Sequence, residues 1–312
     1  MTQKMAFLFP GQGSQVVGMG SALAAQFPTA AQTIAEADEA LGFHLSKIIY
    51  EGPEDELKLT ENTQPAILTV SIAVWRVLAE QGITPALAAG HSLGEWSAHV
   101  AAGTLTFADA VRAVKARGKA MQQAVPPGHG AMAAVLALPA DKIAGACAAA
   151  SAETGLVVAA ANLNSPDQTV ISGATAAVEM AAELCKAAGA RRAVMLQVSA
   201  PFHCSLMAPA QIAVADFLAG IPVTNPNIPV AANVTGNLVT TATEARQALI
   251  QQVTGTVRWV QCMQALSAAG ATIFIEAGPG KVLTGLMRQI DKALKCLNVE
   301  DPASLESTKA AL

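Results

Sequence analysis

A serine bounded by two glycines, at the junction of a short apolar run and a helical segment, constrains the fold more than any other feature. The run Leu87–Gly90 predicts a buried strand, and a helix is predicted to begin at Leu93. Between them, Gly90-His91-Ser92-Leu93-Gly94 fits the pattern G-x-S-x-G of a strand–turn–helix nucleophile. The pattern alone is also typical of a glycine-bounded turn with an incidental serine, but its place after a strand favours Ser92 as a nucleophile in an α/β fold.

The order of predicted elements indicates two domains, one inserted into the other. The cluster Pro126-Pro127-Gly128-His129-Gly130 breaks the chain, and the next seventy residues have their own βαββαβ order. That order comes from strands 131–138, 156–161, 169–172 and 193–198 and from helices 141–152 and 175–188. We therefore expect a large α/β-hydrolase-like domain of residues 1–128 and 199–312, with a small ferredoxin-like domain of residues 129–198 inserted into it.

A neutral serine needs a base within reach, and the chain has five histidines. His203 follows a predicted strand end where the chain re-enters the large domain, and it comes after Ser92 in the chain, as in hydrolase-like folds. We therefore select His203 as the general base. The other four lie beside the serine, on the helix after it or in surface-like contexts, where a structural or exposed histidine is the ordinary interpretation: His44, His91, His99 and His129.

One arginine lies on the apolar side of a predicted helix. Along the helix that begins at Phe107, the positions Ala110, Val114, Arg117 and Met121 follow one another at helical steps, so Arg117 shares the apolar stripe. A guanidinium turned toward the core is costly unless it is paired. Two partners fit, a substrate carboxylate or a carboxylate of the chain in a structural ion pair, and the residues leave both open.

Composition and spacing exclude several other classes. With 19 Lys and Arg against 23 Asp and Glu, the formal charge of −4 disfavours general binding of nucleic acid or anionic lipid. The charge-poor stretch 217–243 is broken by prolines, and the apolar run Met5–Phe9 is too short for a signal-peptide core, so we expect no membrane association.

The five cysteines form no C-x-x-C pair, which is typical of a reduced cytoplasmic protein. No phosphate-loop, dinucleotide or metal-ligand spacing is present, so we expect no metal and no bound cofactor.

Several motifs in order along the chain resemble those of bacterial malonyl-CoA:acyl carrier protein transacylases, the free-standing acyltransferases of fatty acid synthesis. The matching segments are Phe9-Pro10-Gly11-Gln12-Gly13-Ser14-Gln15, Gly90-His91-Ser92-Leu93-Gly94-Glu95, Arg117-Gly118, Asn162-Leu163-Asn164-Ser165-Pro166, Phe202-His203 and Glu276-Ala277-Gly278-Pro279-Gly280. The resemblance implies ping-pong transfer of malonyl from malonyl-CoA to the phosphopantetheine thiol of acyl carrier protein, which would be its two partners.

The same resemblance implies individual roles. Ser92 would carry the acyl group, His203 would act as base and then as acid, and Arg117 would hold the malonyl carboxylate. The remaining implied roles are an oxyanion hole from the main-chain N–H groups of Gln12 and Leu93, orientation of the histidine by Gln252 and Asn164, and an acyl-pocket wall at Phe202. In the wider acyltransferase family, Phe at the position before this histidine accompanies malonyl use.

Three alternative functions compete with malonyl transfer to acyl carrier protein. A carboxylesterase or thioesterase of the α/β-hydrolase type would place an acid between serine and histidine, and Asp141, Asp167 and Glu179 fall in that interval. A malonyl transferase subunit of another malonate-using complex is a closer variant, and a carrier-protein docking module with a degenerate site is a non-enzymatic one. Arg117, which can bind a substrate carboxylate, and the inserted domain favour acyl transfer over hydrolysis. The presence of Ser92, Arg117 and His203 together argues against a docking module.

Overall fold

The structure, a computed structural model, describes residues 4–198 and 200–312. The first three residues and Ser199, with which the large domain was predicted to begin and to resume, lie outside the described residues. The first part of the chain forms β1 (Met5–Phe9), α1 (Ser21–Gln26), α2 (Pro28–Leu41), α3 (Leu45–Glu51), α4 (Glu54–Lys58), α5 (Thr60–Glu80), β2 (Leu87–Gly90), α6 (Leu93–Ala101) and α7 (Phe107–Gln123).

The rest of the chain forms a second group of strands and helices and then returns to the first group. The middle elements are β3 (Gly130–Leu136), α8 (Ala140–Thr154), β4 (Val158–Ser165), β5 (Gln168–Ala174), α9 (Thr175–Ala187) and β6 (Arg192–Met195). The last elements are a 3₁₀ turn (Ser205–Met207), α10 (Ala208–Ala219), β7 (Val230–Ala231), β8 (Leu238–Val239), α11 (Ala242–Gln251), α12 (Trp259–Ala268), β9 (Ile273–Ala277), α13 (Val282–Ile290), β10 (Lys295–Val299) and α14 (Pro302–Ala311).

The larger sheet has six strands in the order β10-β9-β1-β2-β7-β8. Its neighbours are parallel except for the antiparallel β7–β8 pair at one edge. In β1, Ala6 and Leu8 join one core cluster while Phe7 and Phe9 join another, so both faces of the sheet are covered. A strand buried on both faces has a continuous apolar run, which is why β1 shows no alternation. Phe9 pairs with Gly90, so the loops after β1 and β2 meet at the carboxyl edge of the sheet.

A layer of helices beside the larger sheet holds α7 in place. Helix α7 packs against α5 and α10, and α5 also packs against α2. The buried side chains between these helices form a third core cluster, which includes Ile67, Val114 and Val214. Because α7 is held between α5 and α10, the side chains on its inner face have fixed positions.

The smaller sheet has four strands in the order β4-β5-β3-β6, and every neighbouring pair is antiparallel. Helices α8 and α9 share a core with it, in which Val135, Ile143 and Val178 are buried. The mixed α/β class with two sheets agrees with the prediction, but some bounds differ. Strand β4 continues beyond the predicted end at residue 161, because two register shifts in its pairing with β5 carry it through polar residues.

Candidate active site

The serine turn is a strained junction between β2 and α6. Ser92 has φ 50° and ψ −104°, a conformation that L-residues with a Cβ avoid. Asn233 holds it from the neighbouring chain segment, since its Oδ1 accepts from the Ser92 N–H at 2.7 Å and its Nδ2 donates to the Gly90 carbonyl at 2.8 Å. The turn therefore presents the serine hydroxyl at the carboxyl edge of the sheet.

The two glycines of the motif are required by close packing. A Cβ on Gly90 would lie 1.9 Å from the carbonyl carbon and oxygen of Gly94, and a Cβ on Gly94 would lie 2.0 Å from the carbonyl oxygen of Phe9. Contacts this short do not occur between real atoms, so no side chain fits at either position. The glycines thus let α6 start directly against β1 and β2.

Ser92 and His203 lie in direct contact. The distance from Ser92 Oγ to His203 Nε2 is 2.7 Å. The other ring nitrogen, Nδ1, lies 2.9 Å from the carbonyl oxygen of Gln252 and 3.2 Å from that of Gly255. Carbonyl oxygens only accept, so Nδ1 carries the proton and Nε2 faces the serine with a free lone pair. That tautomer is the one a general base needs.

The surroundings of His203 keep its ring neutral. Burial lowers the pKa of His203, and the nearby positive charge of Arg117 lowers it further, to about 3. The two carbonyls act in the opposite direction, and their effect is smaller. At neutral pH the imidazole is therefore unprotonated and free to accept the serine proton.

Arg117 comes from α7 and is 1% exposed. Its Nη2 donates to Ser92 Oγ at 3.1 Å and to Gln252 Oε1 at 2.9 Å, and its Nη1 donates to Gln64 Oε1 at 2.8 Å. All three partners are neutral, and in the described part of the chain no ion pair joins this guanidinium to a carboxylate. The structural ion pair left open by the sequence is thus absent there. Burial lowers the pKa of Arg117 to about 10, so the side chain stays charged at pH 7.

Ser92 lines a cleft of about 470 Å³ between the two sheets. Gln12 and Leu93 line this cleft, and Leu93 is the first residue of α6, where main-chain N–H groups have no partner inside the helix. Phe202 also lines the cleft and is 8% exposed, so it belongs both to the cleft wall and to the core. Met121, Met132, Val170, Leu196, Leu283 and Leu286 supply apolar wall.

One predicted role disagrees with the geometry, and one is refined. Asn164 does not contact His203: its Oδ1 lies 2.8 Å from Nε2 of His91, because β4 extends through residue 164 and ends beside the serine turn. Gln252 contacts His203 through its main-chain carbonyl, while its side chain reaches Arg117 and Ser92. The assignment of Asn164 as a residue that orients the base was therefore wrong.

The acids that an esterase would require lie elsewhere. The three candidates are exposed at the surface: Asp141, Asp167 and Glu179. The partner of His203 Nδ1 is main-chain carbonyl oxygen instead of a carboxylate. The geometry therefore does not favour a Ser-acid-His hydrolase.

Three residues of the site were not predicted. Gln64 bonds Arg117, Asn233 holds the serine turn, and Glu95 is a fully buried acid that bonds both Asn233 and Gln252. Glu95 carried a signal in the sequence, because an acid in the first turn of a helix directly after a nucleophile turn is surrounded by apolar positions. Uncharged Asn and Gln carry no comparable signal.

The described residues contain no group of three or more His, Cys, Asp and Glu placed to hold a metal ion. Over the same residues, every helix is too short or too polar to cross a membrane.

Comparison with known proteins identifies the family. The model of the acyl transferase domain matches residues 6–306. A malonyl CoA-acyl carrier protein transacylase of Bacillus subtilis is 48% identical over 303 residues, which cover 97% of this chain and 95% of the relative. The crystal structure of an acyl carrier protein S-malonyltransferase from Vibrio cholerae shares 48% identity with a TM-score of 0.95, covering 98% of this chain and 100% of that one. A malonyl-transacylase in complex with a type II PKS acyl-carrier protein shares 45% identity with a TM-score of 0.96, covering 99% and 100%. The chain belongs to the acyl transferase domain family, which confirms the family expected from its motifs.

Proposed function

We propose that this chain transfers malonyl from malonyl-CoA to the phosphopantetheine thiol of acyl carrier protein, through a malonyl ester on Ser92, and so supplies fatty acid synthesis. The observation that carries the proposal is Arg117. Its buried guanidinium lies 3.1 Å from the nucleophilic oxygen and forms no direct ion pair with a carboxylate in the described residues. A malonyl group on Ser92 would bring a carboxylate to that cation, whereas an acetyl group would bring none.

The first half-reaction follows from the contact between Ser92 and His203. As Ser92 Oγ attacks the thioester carbonyl, its proton passes to His203 Nε2. The tetrahedral intermediate then collapses, the bond from carbon to sulfur breaks, and His203 returns the proton to the leaving thiolate of coenzyme A. The carbonyls that accept from Nδ1 hold the ring in position and stabilise the imidazolium while the proton is on Nε2.

The developing oxyanion would be bound by the main-chain N–H groups of Gln12 and Leu93. Both residues line the cleft, and the positive end of the α6 dipole lies at Leu93. Gln12 lies on the loop after β1, which the pairing of Phe9 with Gly90 brings beside the serine turn. Two donors from different loops can therefore converge on one oxygen.

The second half-reaction reverses the first with a different thiol. His203 takes the proton of the phosphopantetheine thiol of the carrier protein, the thiolate attacks the malonyl ester, and Ser92 recovers its proton. The carrier protein is thus a partner of the reaction, and a relative of known structure is in complex with one. No resident cofactor enters either step.

Two further assignments belong to this proposal. We assign residues 129–198 to an inserted ferredoxin-like domain, supported by the sheet order β4-β5-β3-β6 with two helices packed beside it, and the remainder to an α/β-hydrolase-like domain. We also assign the enzyme to the cytoplasm, supported by five cysteines that form no disulfide. A malonyl transferase subunit of another malonate-using complex would need the same site and differs only in its carrier.

Intact-protein mass after mixing with malonyl-CoA tests the proposal. We expect a malonyl adduct that disappears when carrier protein with a free thiol is added. Ser92→Ala should abolish the adduct. Ser97→Ala is the matched control, because Ser97 is buried on the same helix α6 outside the cleft, and it should retain the adduct. An adduct that persists in Ser92→Ala, or one lost to water as fast as to carrier protein, would contradict the proposal.

A further inference from the structure

A second buried charge lies behind the reacting groups. Glu95, in the first turn of α6, is 0% exposed. Its Oε2 accepts from Gln252 Nε2 at 2.6 Å and from the Asn233 N–H at 3.1 Å, while its Oε1 has no hydrogen-bond partner. A buried carboxylate with an unpaired oxygen is costly, and the positive charge of Arg117 offsets part of that cost.

The amide of Gln252 lies between this acid and Arg117. Its Nε2 faces Glu95, and its Oε1 accepts from Arg117 Nη2 at 2.9 Å. A carboxylate only accepts and a guanidinium only donates, so these two neighbours together allow a single orientation of the amide. The main-chain carbonyl of Gln252 is also the closer acceptor of His203 Nδ1. Residue 252 thus connects the acid, the arginine and the base.

We propose that Glu95 is a positioning residue that acts through Gln252: it provides the negative charge that balances Arg117 in the free enzyme, and a malonyl carboxylate competes with it for that cation. The inference rests on the proposed role of Arg117 in holding malonyl. When Glu95 is ionised, the buried site of the free enzyme contains one positive and one negative charge. A malonyl group adds a second negative charge, whereas an acetyl group adds none, so Glu95 weakens malonyl binding and leaves acetyl binding unchanged.

The balance of charge also predicts that Glu95 binds protons when malonyl binds. Burial raises the pKa of Glu95 to about 7, and the hydrogen bonds from Gln252 and Asn233 and the charge of Arg117 oppose that rise. The other titratable groups that face Glu95 are Arg117 on α7 and the thiol of Cys262 on α12, whose pKa burial and Glu95 raise. Neither changes its charge near pH 7. When a malonyl carboxylate arrives, Glu95 therefore takes up a fraction of a proton from the buffer.

The test measures binding without turnover. In a Ser92→Ala background, malonyl-CoA and acetyl-CoA are titrated by calorimetry with and without Glu95→Gln, which keeps the shape of the side chain and removes its charge. We expect malonyl-CoA to bind roughly tenfold more tightly when Glu95 is neutral and acetyl-CoA to bind equally in both proteins. Glu276→Gln is the matched control, because Glu276 is also fully buried and bonds the main-chain N–H groups of Leu283 and Thr284; it should leave the ratio of the two affinities unchanged.

A second measurement does not require any change at Glu95. Titrating the Ser92→Ala protein near pH 7 in two buffers of different ionisation enthalpy reports proton uptake, with acetyl-CoA as the control for the phosphates of coenzyme A. We expect uptake with malonyl-CoA beyond that with acetyl-CoA. Equal uptake, or equal shifts of both affinities on Glu95→Gln, would overturn the role of Glu95 alone. If the Ser92→Ala protein does not bind malonyl-CoA more tightly than acetyl-CoA, carboxylate recognition by Arg117 is overturned, and the role of Glu95 is overturned with it.

Discussion

The low pKa of His203 predicts an unusual pH profile for acyl transfer. An imidazole with the ordinary pKa of about 6.5 would be only about 3% neutral at pH 5, so a reaction that needs it as a base would slow about 30-fold between pH 8 and pH 5. Burial and Arg117 lower the pKa of His203 to about 3, so it stays neutral throughout that range. We therefore expect acylation of Ser92 to lose less than about twofold from this histidine.

The assay is the rate of malonyl-serine formation in a single turnover, measured from pH 5 to pH 8 at subsaturating malonyl-CoA. Under these conditions the observed rate reports kcat/KM, which reflects the free enzyme. Arg117→Gln tests the cause, because it removes the second-largest contribution to the low pKa of His203. With acetyl-CoA, which has no carboxylate for Arg117 to bind, the acid limb of the variant should move to higher pH than that of the unmodified enzyme.

The reasoning is refuted by an acid limb with an apparent pKa near 6.5 in the unmodified enzyme. Because no carrier protein is present in this assay, titration of a protein partner does not contribute to the profile.

Three further predictions concern specificity. Arg117→Ala should lower kcat/KM for malonyl transfer on the order of 100-fold more than for acetyl transfer, since only malonyl has a carboxylate to lose its partner; equal losses would remove Arg117 from recognition. Phe202→Ser should narrow the preference for malonyl-CoA over methylmalonyl-CoA by about 10-fold in kcat/KM, because one methyl group is worth about 1–3 kcal/mol in a packed wall; an unchanged ratio would mean that the wall lies elsewhere. Arg191 and Arg192 are both exposed, so Glu at both should raise KM for an acidic carrier protein and leave KM for malonyl-CoA alone; a carrier KM that stays constant would reject this docking surface.

The parts of the site that could be predicted are those with a local pattern. The serine turn has two glycines at fixed spacing after a strand, and Arg117 interrupts an apolar helical stripe, so both are visible in a single segment. The network behind them is not visible in this way. Gln252 and Ser92 are 160 positions apart in the chain, and an uncharged amide shows neither a periodicity nor a charge that would mark it.

The position at which strand β4 ends determines which histidine Asn164 reaches. The strand was predicted to end at residue 161, and the segment Asn164-Ser165-Pro166-Asp167 consists of residues that favour turns. Strand β4 instead runs to Ser165, because its register shifts accommodate the polar residues, and its last residues approach His91. Successive side chains of a strand point to opposite faces of the sheet. The position at which the strand ends therefore determines which neighbours the side chains of its last residues contact.

The positive φ angles of the two reacting residues have a consequence for protein engineering. Ser92 has φ 50° and His203 has φ 61°, and each such conformation costs about 1–3 kcal/mol in a residue with a Cβ. Glycine at position 92 would release that energy and remove the nucleophile, whereas glycine at position 203 would also leave a cavity in place of a buried ring. A library selected for thermal resistance alone should therefore enrich glycine at position 92, and those variants would be inactive. Selection for a more durable catalyst has to score turnover and melting temperature in the same round.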